Sequence, residues 1–502
     1  FSNSGTFRGQ SGTVTLDGGT ISGTNTFNNI DLSGAVNFGS SSTVNGNLTI
    51  NSGGSVSTNA PTYGSSSTLI YKTGGNYGRS TEWSSTSGAG YPKNVQISSS
   101  GGSSHTSLDL GNAAPNVARQ IAGNLTIDAN NALYMDFSSN DMTQSLTVNG
   151  NVTINGTLSL SESSGGDLSL TGDLTLDGSG TFNHRNRAVT FSGSAAQAIT
   201  GTPTFAYLTI NNSHGSDKVT PGSAITVANL LTVTDGIFVS AASDFAGVTI
   251  GANGTLELNG NVTVSGDWSD GGALTPGTNT VTFDGSGAQS ITSGGSVFYN
   301  LTNSNTSSTV SIADKLEINS SGTLTVDGSA TLALAGFEFD DNGATITNNG
   351  TFQLNGDETL TSGSLSIPGN TKIVDGSGAT LTTGLSGLAN VEFNSNGRTF
   401  TLGEHLSYIT GNVTIASGTT LDASGSNYDI SLAGNWSNSG TFTSQNGTVT
   451  FNGSAAQTIS GTNTFYDLTI NNSHGSSKVS ANGSTLTVQD DLLITDGIFE
   501  SA

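Results

Sequence analysis

The stretch Gly150–Leu176 reads GNVTINGTLSLSESSGGDLSLTGDLTL. Four short segments in it, VTI, TLSL, DLSL and DLTL, alternate apolar and polar residues, and Gly, Asn, Asp and Ser separate them. Alternation with a period of two predicts β-strands that bury one face. Strands so short and so closely spaced do not suit a β-sandwich, which has longer strands. They favour a coil of parallel strands whose successive turns stack about 4.8 Å apart.

The same phrases recur along the whole chain, which indicates a repeat architecture. Thr181–Thr220 and Thr441–Ser480 share 27 of 40 residues, and related phrases begin near Val14 and Val281. The spacing of these copies predicts divergent repeat units of roughly 85–90 residues. The Gly-Asn or Gly-Asp turn before each LTI-like segment predicts corner ladders, in which each Asn side chain bonds to its equivalent one turn away. This turn occurs at Gly46, Gly123, Gly150, Gly172, Gly260 and Gly411.

These patterns predict an all-β protein, a right-handed parallel β-solenoid rod with about 20–25 residues per turn and no significant helix. We expect residues 1–502 to form one continuous solenoid segment. The chain opens with FSNSGTF, which matches WSNSGTF at Trp436–Phe442, and closes with TDGIFESA, which matches TDGIFVSA at Thr234–Ala241. We therefore expect a longer repeat array, or copies that associate end to end.

Composition excludes several classes of function. The chain has 36 acidic and 12 basic residues, a formal charge of −24, and would repel nucleic acid and anionic lipid. No run of 18 apolar residues is present, so we expect no membrane insertion of this segment. The absence of cysteine excludes disulfides, thiolate metal sites and cysteine catalysis. A chain with so few charged residues, 10% of the total, favours an extracellular or cell-surface location.

The residues that could carry chemistry are sparse. His214 and His474 occupy identical NNSHG turns without enough nearby ligands for a metal, and the bases His184, Arg185 and Arg187 could contact an anionic sugar or form a solvated loop. The DGSG turns lack the acid spacing of known calcium sites, and weak calcium binding stays open. These turns begin at Asp177, Asp284 and Asp375. We predict no catalytic residues, no cofactor and no defined metal site.

The segment 61–92 is an aromatic-rich interruption of the repeats. Its aromatic rings and charges could stack on sugar rings or on a neighbouring subunit. Alternatively, it is a longer loop or a wider turn whose rings pack against the solenoid. The candidate contact residues are Tyr63, Tyr71, Tyr77, Arg79, Trp83 and Tyr91.

The phrases TVTFNGSAAQTISG and GNLTI, together with Thr68–Ile97, resemble those of very large secreted bacterial surface proteins. These are repetitive, β-helical, adhesin-like proteins of Bacteroidota type. The resemblance covers nearly the whole chain and implies surface display, adhesion or fibre formation. It carries no catalytic residues with it.

We therefore predict a structural or adhesive extracellular solenoid, a segment of a bacterial surface fibre that associates end to end or laterally and could contact surface glycans. The alternative is a carbohydrate-binding or carbohydrate-cleaving β-helix, whose chemistry would need acids aligned on adjacent turns. An ice-binding solenoid would need regular Thr-x-Thr ranks on one flat face, and the threonine spacing in the sequence is too uneven to predict them.

Overall fold

A computed structural model shows an all-β chain of parallel strands stacked as a β-solenoid, which confirms the predicted fold class. The structure describes residues 1–99, 104–213, 215–216, 218–359, 361, 369–374, 380–381, 388–476, 478–481 and 483–501. Within them the one helical element is the 3₁₀ turn Thr81–Trp83. The chain forms two compact units, Phe1–Gly260 and Asn261–Ala502, which are described separately below.

The described residues of the first unit form five parallel ladders, in each of which successive strands come from successive turns. Ladder A is Ser2–Arg8, Ser22–Phe27, Ser42–Val44 and Thr62–Tyr63. Ladder B is Thr13–Leu16, Asn29–Leu32, Asn47–Asn51, Thr68–Lys72, Asn94–Ile97, Leu125–Ile127, Val152–Ile154, Leu174–Leu176, Gln197–Thr200 and Lys218–Pro221. Ladder C is Gly19–Thr20, Ala35–Asn37 and Ser55–Val56.

Two further ladders complete this unit. Ladder D is Asn76–Gly78, Ser107–Asp109, Ala132–Tyr134, Thr157–Ser159 and Thr181–Asn183. Ladder E is Arg119–Ile121, Leu146–Val148, Leu168–Leu170, Ala188–Phe191, Thr204–Asn211, Thr226–Ser240 and Val248–Leu258, with Asp244–Phe245 beside the start of Thr226–Ser240.

In the second unit, the residues that the structure describes form four ladders. Ladder F is Val262–Val264, Thr280–Phe283, Val297–Asn303, Leu316–Val326 and Thr345–Asn348. Ladder G is Trp268–Asp270, Gln289–Thr292, Thr309–Ile312, Thr331–Ala333, Thr351–Leu354, Asn370–Ile373, Asn390–Phe393, Val413–Ile415, Trp436–Asn438, Gln457–Phe465, Lys478–Ser480 and Ile498–Glu500.

The other two ladders lie in the later part of the unit. Ladder H is Thr380–Leu381, Thr399–Leu402, Thr420–Asp422 and Thr441–Thr443, and ladder I is Leu406–Ile409, Ile430–Leu432, Thr448–Phe451, Asp467–Asn471 and Leu492–Asp496. The remaining strands are Ala273–Thr275, Phe339–Asp340 and Thr485–Val488.

The core of each unit is a set of apolar columns that run from turn to turn. In ladder B, Leu48, Leu69, Val95, Leu125 and Val152 lie directly above one another and all are buried. The residue between two inward side chains faces outward, so most short strands alternate buried and half-buried positions. This is the alternation read from Gly150–Leu176, and it places Val, Ile, Leu and Phe inside.

Turn length varies although the strands stay in register. Leu231 pairs with Val248 after only 17 residues, whereas Val95 pairs with Leu125 after 30. The corners absorb the difference, because a loop at a corner can lengthen without moving the strands on either side of it. The predicted 20–25 residues per turn thus lies within the observed range.

The predicted asparagine ladder exists, but the usual donor to each asparagine oxygen is a backbone N–H of the next turn and not the side-chain amide that was predicted. Asn124 Oδ1 accepts the backbone N–H of Asn151, and Asn151 Oδ1 accepts that of Asp173, each at 2.9 Å. Asp173 Oδ1 continues the series to the N–H of Ala198 at 2.8 Å. Side-chain amide to side-chain amide bonds, as predicted, join Asn59 to Asn37 and Asn390 to Asn370. Because the backbone donor needs only an oxygen, Asp can replace Asn in this turn.

The longer repeated phrase encodes a buried polar contact that we call the Gln–Asn clamp. Gln197 Nε2 donates to the carbonyl of Gly172 in the preceding turn at 2.7 Å. Its Oε1 accepts from the N–H of Gly193 and from Asn212 Nδ2 in the following turn, at 3.1 and 3.0 Å. Equivalent bonds join Gln289 to Gly266, Gly285 and Asn305, and Gln457 to Gly434, Gly453 and Asn472. The polar residues of the repeat thus connect three successive turns.

Candidate functional site

The aromatic-rich segment is organised around one buried carboxylate, Glu82, in the 3₁₀ turn. Its Oε1 accepts hydrogen bonds from the hydroxyls of Tyr71 and Tyr77, each at 3.2 Å, and from the backbone N–H of Ser80 at 2.9 Å. The hydroxyl of Tyr63 donates to the Glu82 carbonyl oxygen at 2.8 Å. Three tyrosines that are separate in sequence therefore converge on one residue.

Arg79 and Trp83 attach this segment to the turn that follows it. Arg79 is 4% exposed, and its guanidinium donates to the carbonyls of Leu110 and Asn112 at 3.0 and 2.8 Å. The fully buried Trp83 donates from Nε1 to the carbonyl of Gln120 at 2.9 Å. These bonds end on backbone oxygens of the protein itself, so both side chains hold turns together and neither is presented to a partner.

Burial changes the ionisation of the groups in this cluster. Removal from water raises the pKa of Glu82, against the lowering effects of the Ser80 N–H and the Arg79 charge. Burial likewise raises the pKa of Tyr63 and of Tyr71 well above the usual range, and the nearby Glu82 charge adds to that effect. Perturbed pKa values are common in active sites. Here Glu82 has no exposed surface through which a substrate could reach it.

The structure thus divides the six candidate contact residues. Tyr71, Arg79 and Trp83 are buried and do not form part of a surface, whereas Tyr63, Tyr77 and Tyr91 are half-buried. Tyr91 accepts a hydrogen bond from Asn149 Nδ2 at 3.1 Å through its hydroxyl. This packing matches the alternative of a wider turn that rests its rings on the solenoid. A contact role stays a prediction for the three half-buried tyrosines.

One base of the cluster near His184, Arg185, is paired with acids. Arg185 Nε lies 2.8 Å from Asp136 Oδ2, and Arg185 Nη1 lies 3.1 Å from Glu162 Oε1. The positive charge of Arg185, which could attract an anionic sugar, is therefore shared with carboxylates of earlier turns.

No group of three or more His, Asp or Glu side chains positioned for a metal ion occurs among the residues that the structure describes. Two positions considered for metal binding from the sequence, His214 and Asp375, lie outside those residues.

One group of acids does line up on neighbouring turns, as a carbohydrate-cleaving helix would require. Lys315 Nζ lies 3.3 Å from Glu317, 3.2 Å from Glu338 and 3.5 Å from Asp340. Hydrogen bonds from Thr361 and Lys315 lower the pKa of Glu338, so this carboxyl stays ionised. A general acid needs a raised pKa, so Glu338 is not suited to that role.

A polar groove, defined here by two rows of outward side chains in the second unit, was not predicted from the sequence. It encloses about 580 Å³. The first row is Thr309, Thr331, Thr351, Asn370, Asn390 and Asn412, and the second is Gln353, Lys372, Glu392 and Thr414. Each row takes one residue from each of several successive turns. The register of strands that are far apart in sequence creates the groove, so no local sequence motif predicts it.

Threonine ranks are more regular in the structure than in the sequence. Thr282, Thr302, Thr325 and Thr347 pair in register on four successive turns of ladder F. Beside them, Thr280, Asn300, Thr323 and Thr345 form a second column, also in register. Uneven turn lengths hide these ranks in the sequence. The spacing argument against an ice-binding face therefore does not hold for ladder F.

Comparison with known proteins adds no relative: the chain matches no protein-family model, no curated protein and no solved structure. In the described part of the chain, no helix has the length and apolar character needed to span a membrane.

Proposed function

We propose that this chain is a structural or adhesive segment of an extracellular bacterial surface fibre, as its resemblance to adhesin-like repeat proteins suggests. The observation that carries the proposal is the threefold Gln–Asn clamp. The polar residues that the repeats have in common bond to neighbouring turns, and none of these bonds forms a catalytic arrangement. A repeat whose polar groups serve its own stacking adds length and stiffness with each copy.

Self-association is part of the proposal. The parallel ladders of each unit grow one strand at a time, as in the last steps of ladder G. The backbone N–H and C=O groups of a strand edge can pair with a strand of another copy in the same way. We propose that copies of this chain associate end to end or laterally when the fibre assembles.

Antibodies raised against the purified chain test the location. They should label intact, non-permeabilised cells of the producing bacterium, and electron microscopy with gold-tagged antibody should place the label on surface threads. Labelling that requires permeabilised cells would overturn the surface assignment.

A carbohydrate-binding solenoid is the second candidate, and the polar groove is the observation that favours it. We propose no cleavage activity. Release of reducing sugar from a panel of plant, algal and bacterial polysaccharides would contradict that part of the proposal.

A further inference from the structure

The polar groove presents hydrogen-bonding groups that the protein does not use itself. Within the described chain, the side chains of Thr331, Thr351, Gln353, Lys372 and Thr414 make no hydrogen bond or ion pair. All five are half-buried and come from four of the five successive strands of ladder G between Thr331–Ala333 and Val413–Ile415. Partly buried polar groups that lack protein partners are available to a ligand that supplies both donors and acceptors.

The charges in the groove select against an ionic ligand. The two rows contain one cation, Lys372, and one anion, Glu392, which occupy paired positions on adjacent strands. The other eight side chains of the rows are neutral hydroxyls and amides. The chain as a whole carries −24, which repels polyanions at long range. A neutral ligand rich in hydroxyl groups fits this composition best.

The spacing of the groups selects a linear, repeating ligand. Residues in one row are separated by the inter-strand distance, about 4.8 Å. Six turns contribute to the first row, so the row extends over roughly 24 Å. The length that one sugar adds to an extended β-1,4-linked glycan is close to this inter-strand distance. Each sugar can therefore contact one turn. An extended peptide repeats at about 6.8 Å and would lose that match after a few turns.

We propose that the polar groove binds a neutral linear polysaccharide whose chain lies along the stacking direction of the turns. The inference deepens the adhesive function proposed above and rests on it, because it names the chemical class to which the fibre attaches. Lys372, Gln353 and Glu392 would bond to ring and hydroxymethyl oxygens, and the threonine and asparagine row would contact the hydroxyls of successive sugars.

Among the residues that the structure describes, no tyrosine, tryptophan or phenylalanine lines the groove, so they offer the ligand no aromatic platform for stacking. Binding then depends on the number of hydrogen bonds, each of which contributes modestly. Affinity should rise with each added sugar until the ligand spans the six turns. This length dependence separates the groove from a site that recognises one sugar or one chain end.

The test is titration calorimetry of the purified full chain with cellohexaose and chitohexaose, with cellobiose and chitobiose as short probes. We expect at least one hexasaccharide to bind, at least about tenfold more tightly than its disaccharide, since each 1.4 kcal/mol is a factor of ten. A hexagalacturonate of the same length should bind more weakly because it is anionic. Absence of binding by both hexasaccharides, or equal affinity for the two lengths, overturns the proposal.

Variants locate the binding. Gln353→Ala with Lys372→Ala should weaken hexasaccharide binding by about tenfold or more, since two hydrogen bonds are lost. Thr469→Ala with Lys478→Ala removes a hydroxyl and an ammonium paired with Glu500, at outward positions of the same unit that do not line the groove, and should leave binding unchanged. Circular dichroism establishes that both double variants are folded. Lys372→Met is a more conservative single variant, which removes the charge and keeps most of the side-chain volume. Equal affinities in all variants would contradict the groove as the site.

The antibody experiment keeps the two proposals separable. Surface labelling without glycan binding would overturn this inference and leave the adhesive fibre in place. Glycan binding without surface labelling would overturn the proposed location.

Discussion

The turn at residues 225–241 and the turn at residues 486–501 have closely related sequences and very different surroundings. Both contain the phrase TDGIF, preceded by LLTV in one and DLLI in the other. In the first, Leu231 and Val233 are fully buried. In the second, the equivalent Leu492 and Ile494 are 47% and 49% exposed.

The difference between the two turns shows where the core of this protein comes from. Leu492 and Ile494 pair in register with Leu468 and Ile470 of the preceding turn, as Leu231 pairs with Leu208. Among the described residues, the first turn pairs on its other side with Val248–Leu258, whereas no strand pairs with the other side of Leu492–Asp496. The sequence determines which side chains face inward, and the neighbouring turns on both sides bury them. Burial in a solenoid is thus a property of the stack.

The largest expected effect comes from truncating the same leucine in the two turns. Leu231→Ala should lower the free energy of unfolding of its region by about 2–5 kcal/mol, because it leaves a cavity between two turns. Leu492→Ala should cost less than about 1 kcal/mol, since its side chain is already half in water. Urea titration followed by hydrogen exchange measures the two changes. Equal losses of unfolding free energy in the two variants would contradict the conclusion that the following turn buries Leu231.

The Gln–Asn clamp gives the next largest effect. Gln197→Met keeps the volume of the side chain but leaves Asn212 Nδ2 and the Gly193 N–H without their shared acceptor, at a cost of about 1–3 kcal/mol. Gln489→Met, on the exposed last turn, should be nearly neutral. Hydrogen exchange at Gly193 reports the local opening directly. Unchanged protection of the Gly193 N–H from exchange in Gln197→Met would show that the clamp does not stabilise this turn.

A pH scan extends the comparison from apolar to ionisable groups. Burial raises the pKa of Glu82, so the folded state holds a proton at pH values at which the unfolded state has lost it. Stability of the first unit should therefore fall as pH rises from the usual glutamate range through the raised pKa. Glu82→Gln should flatten this part of the profile.

Glu162→Gln, at a side chain that is 60% exposed, is the surface control, so the difference between the two variants isolates the effect of burying Glu82. The thermal midpoint between pH 4 and pH 8 is the measurement. A profile for Glu82→Gln that parallels the unmodified protein would show that Glu82 does not cause the slope.

The smallest effect concerns the corner ladder. Asn151→Ala removes the acceptor for the N–H of Asp173 and should cost about 0.5–1.5 kcal/mol. Asn151→Asp keeps an oxygen in the same place, as Asp173 does for Ala198, and should cost less. Thermal unfolding of both variants tests whether the ladder needs only an acceptor. Equal losses would show that the amide nitrogen also contributes.

The solenoid and its inward residues could be predicted because they depend on a local signal. Alternation in segments such as Val152–Ile154 determines which side chains face the core, whatever the length of the corners. The corner asparagines were also predictable, but the usual partner of their oxygen was not. The predicted amide ladder assumes that the side chains bond to each other, whereas Asn124 Oδ1 accepts the backbone N–H of Asn151, just before the next strand of ladder B.

The aromatic segment and the polar groove depend on information that the sequence does not display. Composition marks 61–92 as unusual, but the inward orientation of Tyr71 and Trp83 follows from Glu82 and from carbonyls of a later turn. The groove brings together Thr331 and Lys372, which are 41 residues apart, through the register of intervening strands. Turns of variable length hide that register from a reading of the sequence alone.

The most direct test of in-register parallel stacking is a distance measurement between two distant threonines of ladder E. Thr147 and Thr249 are connected by five steps of strand pairing, through Ser169, Thr190, Thr209 and Thr232. The chain contains no cysteine, so Thr147→Cys with Thr249→Cys gives two unique sites for spin labels. Double electron–electron resonance should give a narrow distance distribution centred near 24 Å, five times the inter-strand spacing of about 4.8 Å. A broad distribution, or a distance far longer than this, would contradict the solenoid.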